Sequence, residues 1–180
     1  MPKNFSSAAD ALRQALRDAV AALDIAETRG EPAQLSQALA HVGQSYRALG
    51  ALADAQWYTQ QGLRQAQTLG AVDAHVDALC ELAEIAAERA DALQGHDEPR
   101  GAQALRDKAR DHGFEAARLA SRSADPQWEI TVLLRVSDLF DRFGDHEDAI
   151  ALQCRAVGLM THEAVGAVAD ESCLAAAPRR

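Results

Sequence analysis

The stretch 39–63, LAHVGQSYRALGALADAQWYTQQGL, is echoed at 133–157 by LLRVSDLFDRFGDHEDAIALQCRAV. Leu39, Val42, Gly43, Tyr46, Gly50, Ala55, Gly62 and Leu63 answer to Leu133, Val136, Ser137, Phe140, Gly144, Ala149, Ala156 and Val157. Every pair is offset by 94 positions, with no slip in register. Self-similarity of fixed register on this scale marks a repeat array, in which each unit buries its apolar face against its neighbours. Such an array works by presenting a surface.

The echo resolves into two steps. A shift of 40 carries Leu39, Val42 and Gly43 onto Leu79, Leu82 and Ala83. The same shift backwards carries Ala55, Gly62, Leu63, Ala66 and Gly70 onto Ala15, Ala22, Leu23, Ala26 and Gly30. A shift of 54 takes Ala55, Gly62, Leu63 and Ala66 onto Ala109, Ala116, Ala117 and Ala120. The middle unit therefore exceeds its neighbours by the difference, 14 residues, or about two extra turns on each of two helices.

Glycines and prolines punctuate the chain. Gly30, Gly50 and Gly70 each close a helical pattern, as a residue in the left-handed position after a helix does. Pro32, Pro99 and Pro126 stand just inside the start of new patterns, where a missing N–H costs nothing. Ser7 with Asp10, and Asp145 with Asp148, read as N-caps with an acidic residue three positions on. No stretch shows strand alternation. The expected fold is all-α, with seven helices near 7–29, 32–49, 52–69, 72–94, 99–123, 126–143 and 146–163. These form a helical domain over 1–164, with a leading helix, a repeat at 32–69, an elongated repeat at 72–123 and a third at 126–163. Residues 165–180 are expected to be a flexible tail.

Small residues recur where helices of one hairpin cross. Gly43, Ala83 and Ser137 hold one such position, and Ala55, Ala109 and Ala149 hold the other. There they let backbones approach to about 8 Å. Tyr46 and Phe140 plug the space beside them, whereas the middle unit has only Ala86.

Composition narrows the class of function. Of the 180 residues 48% are hydrophobic but only 4% aromatic, a mixture rich in Ala and Leu that favours packed helices. The formal net charge of −9 repels phosphate backbones and anionic lipid, so neither nucleic acid nor membrane is an expected partner. Only Lys3 and Lys108 are lysines, the other basic residues being arginine, a preference that suits GC-rich bacterial coding. Cys80, Cys154 and Cys173 are widely separated, odd in number and without a C-x-x-C pair, which fits a reducing cytoplasm.

Small residue, aromatic, turn glycine and paired alanines together resemble the tetratricopeptide-repeat family. The likeness is strong over 37–69 and 131–163 and weaker over 72–123. A period of about 40, rather than 34, is similar to the longer repeats of bacterial regulatory proteins. The resemblance implies a right-handed α-solenoid whose first helices line a concave groove for a peptide or helix of a partner protein, in a scaffold or adaptor. Carried over by position, the groove residues are Gln37, His41, Gln44 and Arg47 from the first repeat, Asp77, Glu81, Glu84 and Glu88 from the second, and Thr131, Arg135, Asp138 and Arg142 from the third. Glu81, Glu84 and Glu88 share one helix face. That row is either a solvated face paired with neighbouring arginines, or an acidic groove centre for a partner of basic character. A regulatory sensor that acts on a separate effector is the alternative function.

No catalytic, cofactor or metal site is expected. His96-Asp97-Glu98 reads as a polar turn before Pro99, because adjacent residues rarely chelate one ion. His41, His75, His112, His146 and His162 are lone helical histidines, and Cys80 is expected to pack as a small apolar side chain. Nucleophile-elbow, phosphate-loop and H-E-x-x-H motifs are missing. Trp57 and Trp128 read as packing residues, with an exposed Trp57-Tyr58 pair as a convex contact site in the alternative. The open ends of the array leave a homodimer through one of them as a further expectation, with helix 1 (Leu12, Leu16, Leu23, Ile25) as the N-terminal cap.

Overall fold

A computed structural model describes the backbone of residues 4–95 and 98–175 and the side chains of 8–95 and 98–161. His96, Asp97 and the side chains of His162 and Cys173 lie outside the described residues, as does the expected tail beyond Ala175. The described chain is all-α, with no strand. Its helices are α1 (Asn4–Arg29), α2 (Pro32–Ala48), α3 (Leu52–Leu69), α4 (Val72–Gly95), α5 (Pro99–Ala120), α6 (Pro126–Phe143) and α7 (His146–Ala175).

Local chemistry accounts for most boundaries. Gly30, Gly50, Gly70 and Gly144 follow helices with φ of 65, 75, 63 and 82°, where a Cβ would be strained. Pro32, Pro99 and Pro126 each stand in a first turn. Asp125, which the sequence reading passed over, caps α6 by accepting from the backbone N–H groups of Gln127 and Trp128 at 3.0 and 3.2 Å. Three expectations differ from the structure. Helix α1 begins at Asn4, so Ser7 lies inside it, because no helix breaker stands between Pro2 and that serine. Helix α7 runs on to Ala175 rather than ending at 163. A single glycine, Gly166, costs a helix about 1 kcal/mol, and no proline intervenes before Pro178. The second N-cap expectation also changes, since the Asp145 carboxylate is taken by Arg110 of α5.

Consecutive helices pack as neighbours along the whole chain. In addition α2 touches α4 and α4 touches α6, whereas α3 and α5 are not in contact. Even-numbered helices are thus drawn together and odd-numbered ones splayed, which puts the inner face of the stack on α2, α4 and α6. Helices α4 and α5, at 24 and 22 residues, form a taller hairpin than α2 and α3, at 17 and 18.

The repeat positions are the buried ones. Ala55, Ala109, Ser137 and Ala149 are fully enclosed, and Ala83 is nearly so. Phe140 is fully buried, while Tyr46 is half-buried and stacks on Tyr58 with ring centroids 5.3 Å apart. Trp57 leaves the core, edge-on to Tyr58 and 54% exposed, whereas Trp128 packs against the main core. A Cβ at Gly43 would lie 2.5 Å from Thr59 Oγ1 and 3.3 Å from the Thr59 backbone nitrogen. Gly43→Ala is therefore expected to lower stability by about 1–3 kcal/mol, read as a fall in the urea midpoint at unchanged m-value.

Candidate functional site

The inner face has two chemically different halves. Near the N-terminal ends of α2 and α4 lies an open cavity of about 360 Å³. Gln37, His41 and Gln44 form one wall, since positions i, i+4 and i+7 share a helix face. Thr59 and Gly62 of α3 make the floor, and Asp77 rises from α4 opposite, with Ala33, Ala40, Ala74 and Ala78 between. Small side chains leave this space open. A Cβ at Gly62 would already meet Leu39 Cβ and the Ser36 carbonyl oxygen at 3.5 Å.

Floor hydroxyls are satisfied internally. Ser36 Oγ donates to the Gly62 carbonyl at 3.4 Å and Thr59 Oγ1 to that of Ala55 at 2.8 Å. The wall is different. Among the described residues the Asp77 side chain has no hydrogen bond or ion pair, and the residue is exposed to solvent. The protein packed around that concave position nonetheless displaces water, and desolvation pushes its carboxyl above the ordinary Asp range. The Arg135 charge pulls the other way, and Asp73 adds to the rise.

The other half of the face is a closed ion-pair cluster across three helices. Arg47 of α2 reaches Glu81, Glu84 and Glu88 of α4 at 2.5, 2.8 and 2.8 Å. Arg135 of α6 reaches Glu84 at 2.5 Å and Glu81 at 3.1 Å. Glu81 is 3% exposed, so it grips the two arginines and has no surface for a partner. For both arginines burial opposes the charge. The glutamates more than offset it through Coulombic attraction and hydrogen bonds, and both pKa values rise. Arg142 joins Asp91 at 2.8 Å farther along the same face, both side chains being exposed.

The twelve candidate residues therefore separate. Gln37, His41, Gln44 and Asp77 come together around the cavity. Arg47, Glu81, Glu84, Glu88 and Arg135 come together as the cluster, the internally paired form of the acidic row. Thr131 and Asp138 stay exposed on α6, and Arg142 is held at its own pair. Sequence reasoning missed Ser36 and Thr59 in the cavity and Asp91 as the Arg142 partner. Shifting groove positions by one repeat reveals only inner-wall residues, and floor positions belong to α3 or to the hairpin interior.

Of the two described cysteines, Cys154 is exposed and Cys80 is enclosed. Cys80 is buried, and burial pushes its thiol up to about 12, so it stays protonated at neutral pH. His75 lies 3.3 Å from Gln67, and His146 lies 3.0 Å from Asp141. Burial lowers the pKa of His112, with Lys108 adding to the effect. Among the described residues no group of three His, Cys, Asp or Glu side chains could hold a metal ion, and no helix is long and apolar enough to cross a membrane. No protein-family model matches this chain, and comparison with curated proteins finds no match.

Proposed function

We propose that this chain is a non-catalytic helical-repeat module of the tetratricopeptide type, seating a peptide or helix of a partner protein on the face formed by α2, α4 and α6. The observation that carries this reading is the cavity between α2 and α4, open to solvent and walled by amides, with one carboxylate lacking a protein partner. A groove with its glutamates already neutralised attracts little through Glu81, Glu84 and Glu88. Basic character in the partner is read instead at Asp77, by a Lys or Arg side chain or a free amino group entering between Gln37 and Gln44. Scaffold or adaptor work in a bacterial cytoplasm fits the cysteine usage and arginine bias.

A displayed library of short peptides selected on the full chain tests it. Enriched peptides are expected to carry Lys or Arg. Asp77→Asn is expected to weaken them at least about tenfold, and Ala40→Trp, which fills the cavity, to abolish binding. Enrichment of acidic peptides, or binding indifferent to both substitutions, contradicts the reading. Asp77→Asn is a clean probe because the folded-state pKa of Asp77 lies above its unfolded value. That raises the relative stability of the folded state as pH falls and opposes it above the folded pKa. Loss of the charge at neutral pH therefore leaves stability unchanged or slightly raised, which thermal unfolding checks.

The alternative, a sensor acting on a separate effector, draws support from the cluster that ties α2, α4 and α6 together. A ligand competing for those carboxylates would change the curvature of the stack. A small peptide producing a thermal shift that disappears in Arg47→Ala and Arg135→Ala, but persists in Asp77→Asn, favours this second reading.

A further inference from the structure

The last helix carries a stacking face that no described residue of the chain covers. One register runs through all four odd-numbered helices: Leu23, Leu63, Ala117 and Val157 in one row, and Ala26, Ala66, Ala120 and Met160 in the next. In α1, α3 and α5 both rows are packed against the following even-numbered helix. Leu23 and Ala26 cluster with Leu39 and Val42 of α2, Leu63 packs against the main core that holds Val76 and Leu79 of α4, and Ala117 clusters with Ile130 and Leu133 of α6. Ala66 and Ala120 are fully buried. In α7 the same rows are open, with Val157 56% and Met160 41% exposed, and Ile150, two turns before Val157, is 56% exposed. Other exposed large apolar side chains are spread over the surface, whereas these three fall on one stripe.

We infer that a second copy of the chain docks on this stripe, the two α7 helices meeting antiparallel across a twofold axis. This inference is independent of the groove reading. Helix α7 continues along its own axis to Ala175, so residues 161–175 lead past the stripe as one helix. The spacing 150, 153, 157, 160 reads the same in both directions. Twofold pairing therefore sets Ile150 against Met160 of the partner subunit and Gln153 against Val157 of the partner subunit, and the contact closes without leaving an open end. The opposite end of the stack is built differently. Its exposed apolar side chains, Leu12, Val20 and Ile25, do not fall in one row along α1, and polar pairs stand among them, Arg13 with Asp10 at 2.9 Å and Gln14 with Asp18 at 2.8 Å. No charged residue stands at any of the four stripe positions.

Sedimentation equilibrium on the full chain tests the inference. Dimers are expected at micromolar concentration, and Val157→Glu combined with Met160→Glu is expected to return monomers with unchanged helical circular dichroism, both side chains being exposed. Added salt is expected to tighten the dimer, because each copy carries a net charge of −9 while the contact itself is apolar. Leu12→Glu, on α1, is expected to leave the dimer intact. A monomer at every concentration and salt, a dimer that survives the α7 substitutions, or one broken by Leu12→Glu overturns the proposal, the last in favour of head-to-tail assembly.

Discussion

Glu81→Ala is expected to lower unfolding free energy by about 3 kcal/mol, far more than Glu88→Ala, for which about 1 kcal/mol or less is expected. The two residues sit on one face of α4 and both bind Arg47, at 2.5 and 2.8 Å. They differ in burial and in partners. The Glu81 side chain is 4% exposed and holds arginines from two other helices, whereas that of Glu88 is 33% exposed and holds one. Removing a buried partner leaves desolvated guanidinium groups short of acceptors and opens a void. Removing a part-exposed one lets water take its place. Glu84, still bonded to both arginines, keeps the loss for Glu81→Ala at the lower end of what a broken buried pair costs. Chemical denaturation of the two variants provides the ranking, and equal losses contradict it. A cycle with Arg47→Ala and Arg135→Ala is expected to be non-additive by more than about 0.5 kcal/mol, although the two arginines lie on different helices, because they share Glu81 and Glu84.

Phe140→Ala is expected to cost about 3–5 kcal/mol, and Phe140→Leu less than about 1.5 kcal/mol. The Phe140 ring is fully buried in the main core, tilted against Phe114 at 4.7 Å between centroids. Opposite it stands Gly113, where a Cβ would lie 3.0 Å from Phe140 Cε1 and from Val136 Cγ1. Ring and glycine are thus complementary, and truncation leaves a void that the missing Cβ of Gly113 does nothing to fill. In a stack whose units touch only their neighbours, the damage is expected to stay local. Amide exchange is expected to accelerate in α6 and in the part of α7 packed on it before α2 and α3 respond. Uniform acceleration across all helices contradicts this.

Helix boundaries were legible wherever the stop is a local event. Gly30, Gly50 and Gly70 adopt the left-handed conformation that their position after a helical pattern implied, and Pro32, Pro99 and Pro126 open helices as expected. Boundaries without such a residue were not. Helix α7 passes the expected stop at 163, because the small residues that follow do not break a helix. The crossing positions Gly43, Ala55, Ala83, Ala109, Ser137 and Ala149 were legible for another reason. Close backbone approach tolerates only small side chains, and the repeat displays the requirement more than once.

Charge in the groove was legible in position but not in state. Repeat arithmetic placed Arg47, Glu81, Glu84, Glu88 and Arg135 on one face, and the acidic row still read equally as an open surface or as a paired one. Its closure depends on the distance between α2, α4 and α6, which brings together residues 34 and 54 positions apart in sequence. Asp77 differs from Glu81 by one helical turn, and nothing in the sequence separates them. The reach of Arg47 and Arg135 decides that one is buried between two guanidinium groups and the other left facing a cavity. By itself, the sequence determined the helices, their order and the elongated middle hairpin, because these follow from residue spacing and local backbone preference. The tertiary structure alone decided which carboxylates are neutralised and which apolar rows are covered, because both depend on what a neighbouring helix brings within a few ångströms.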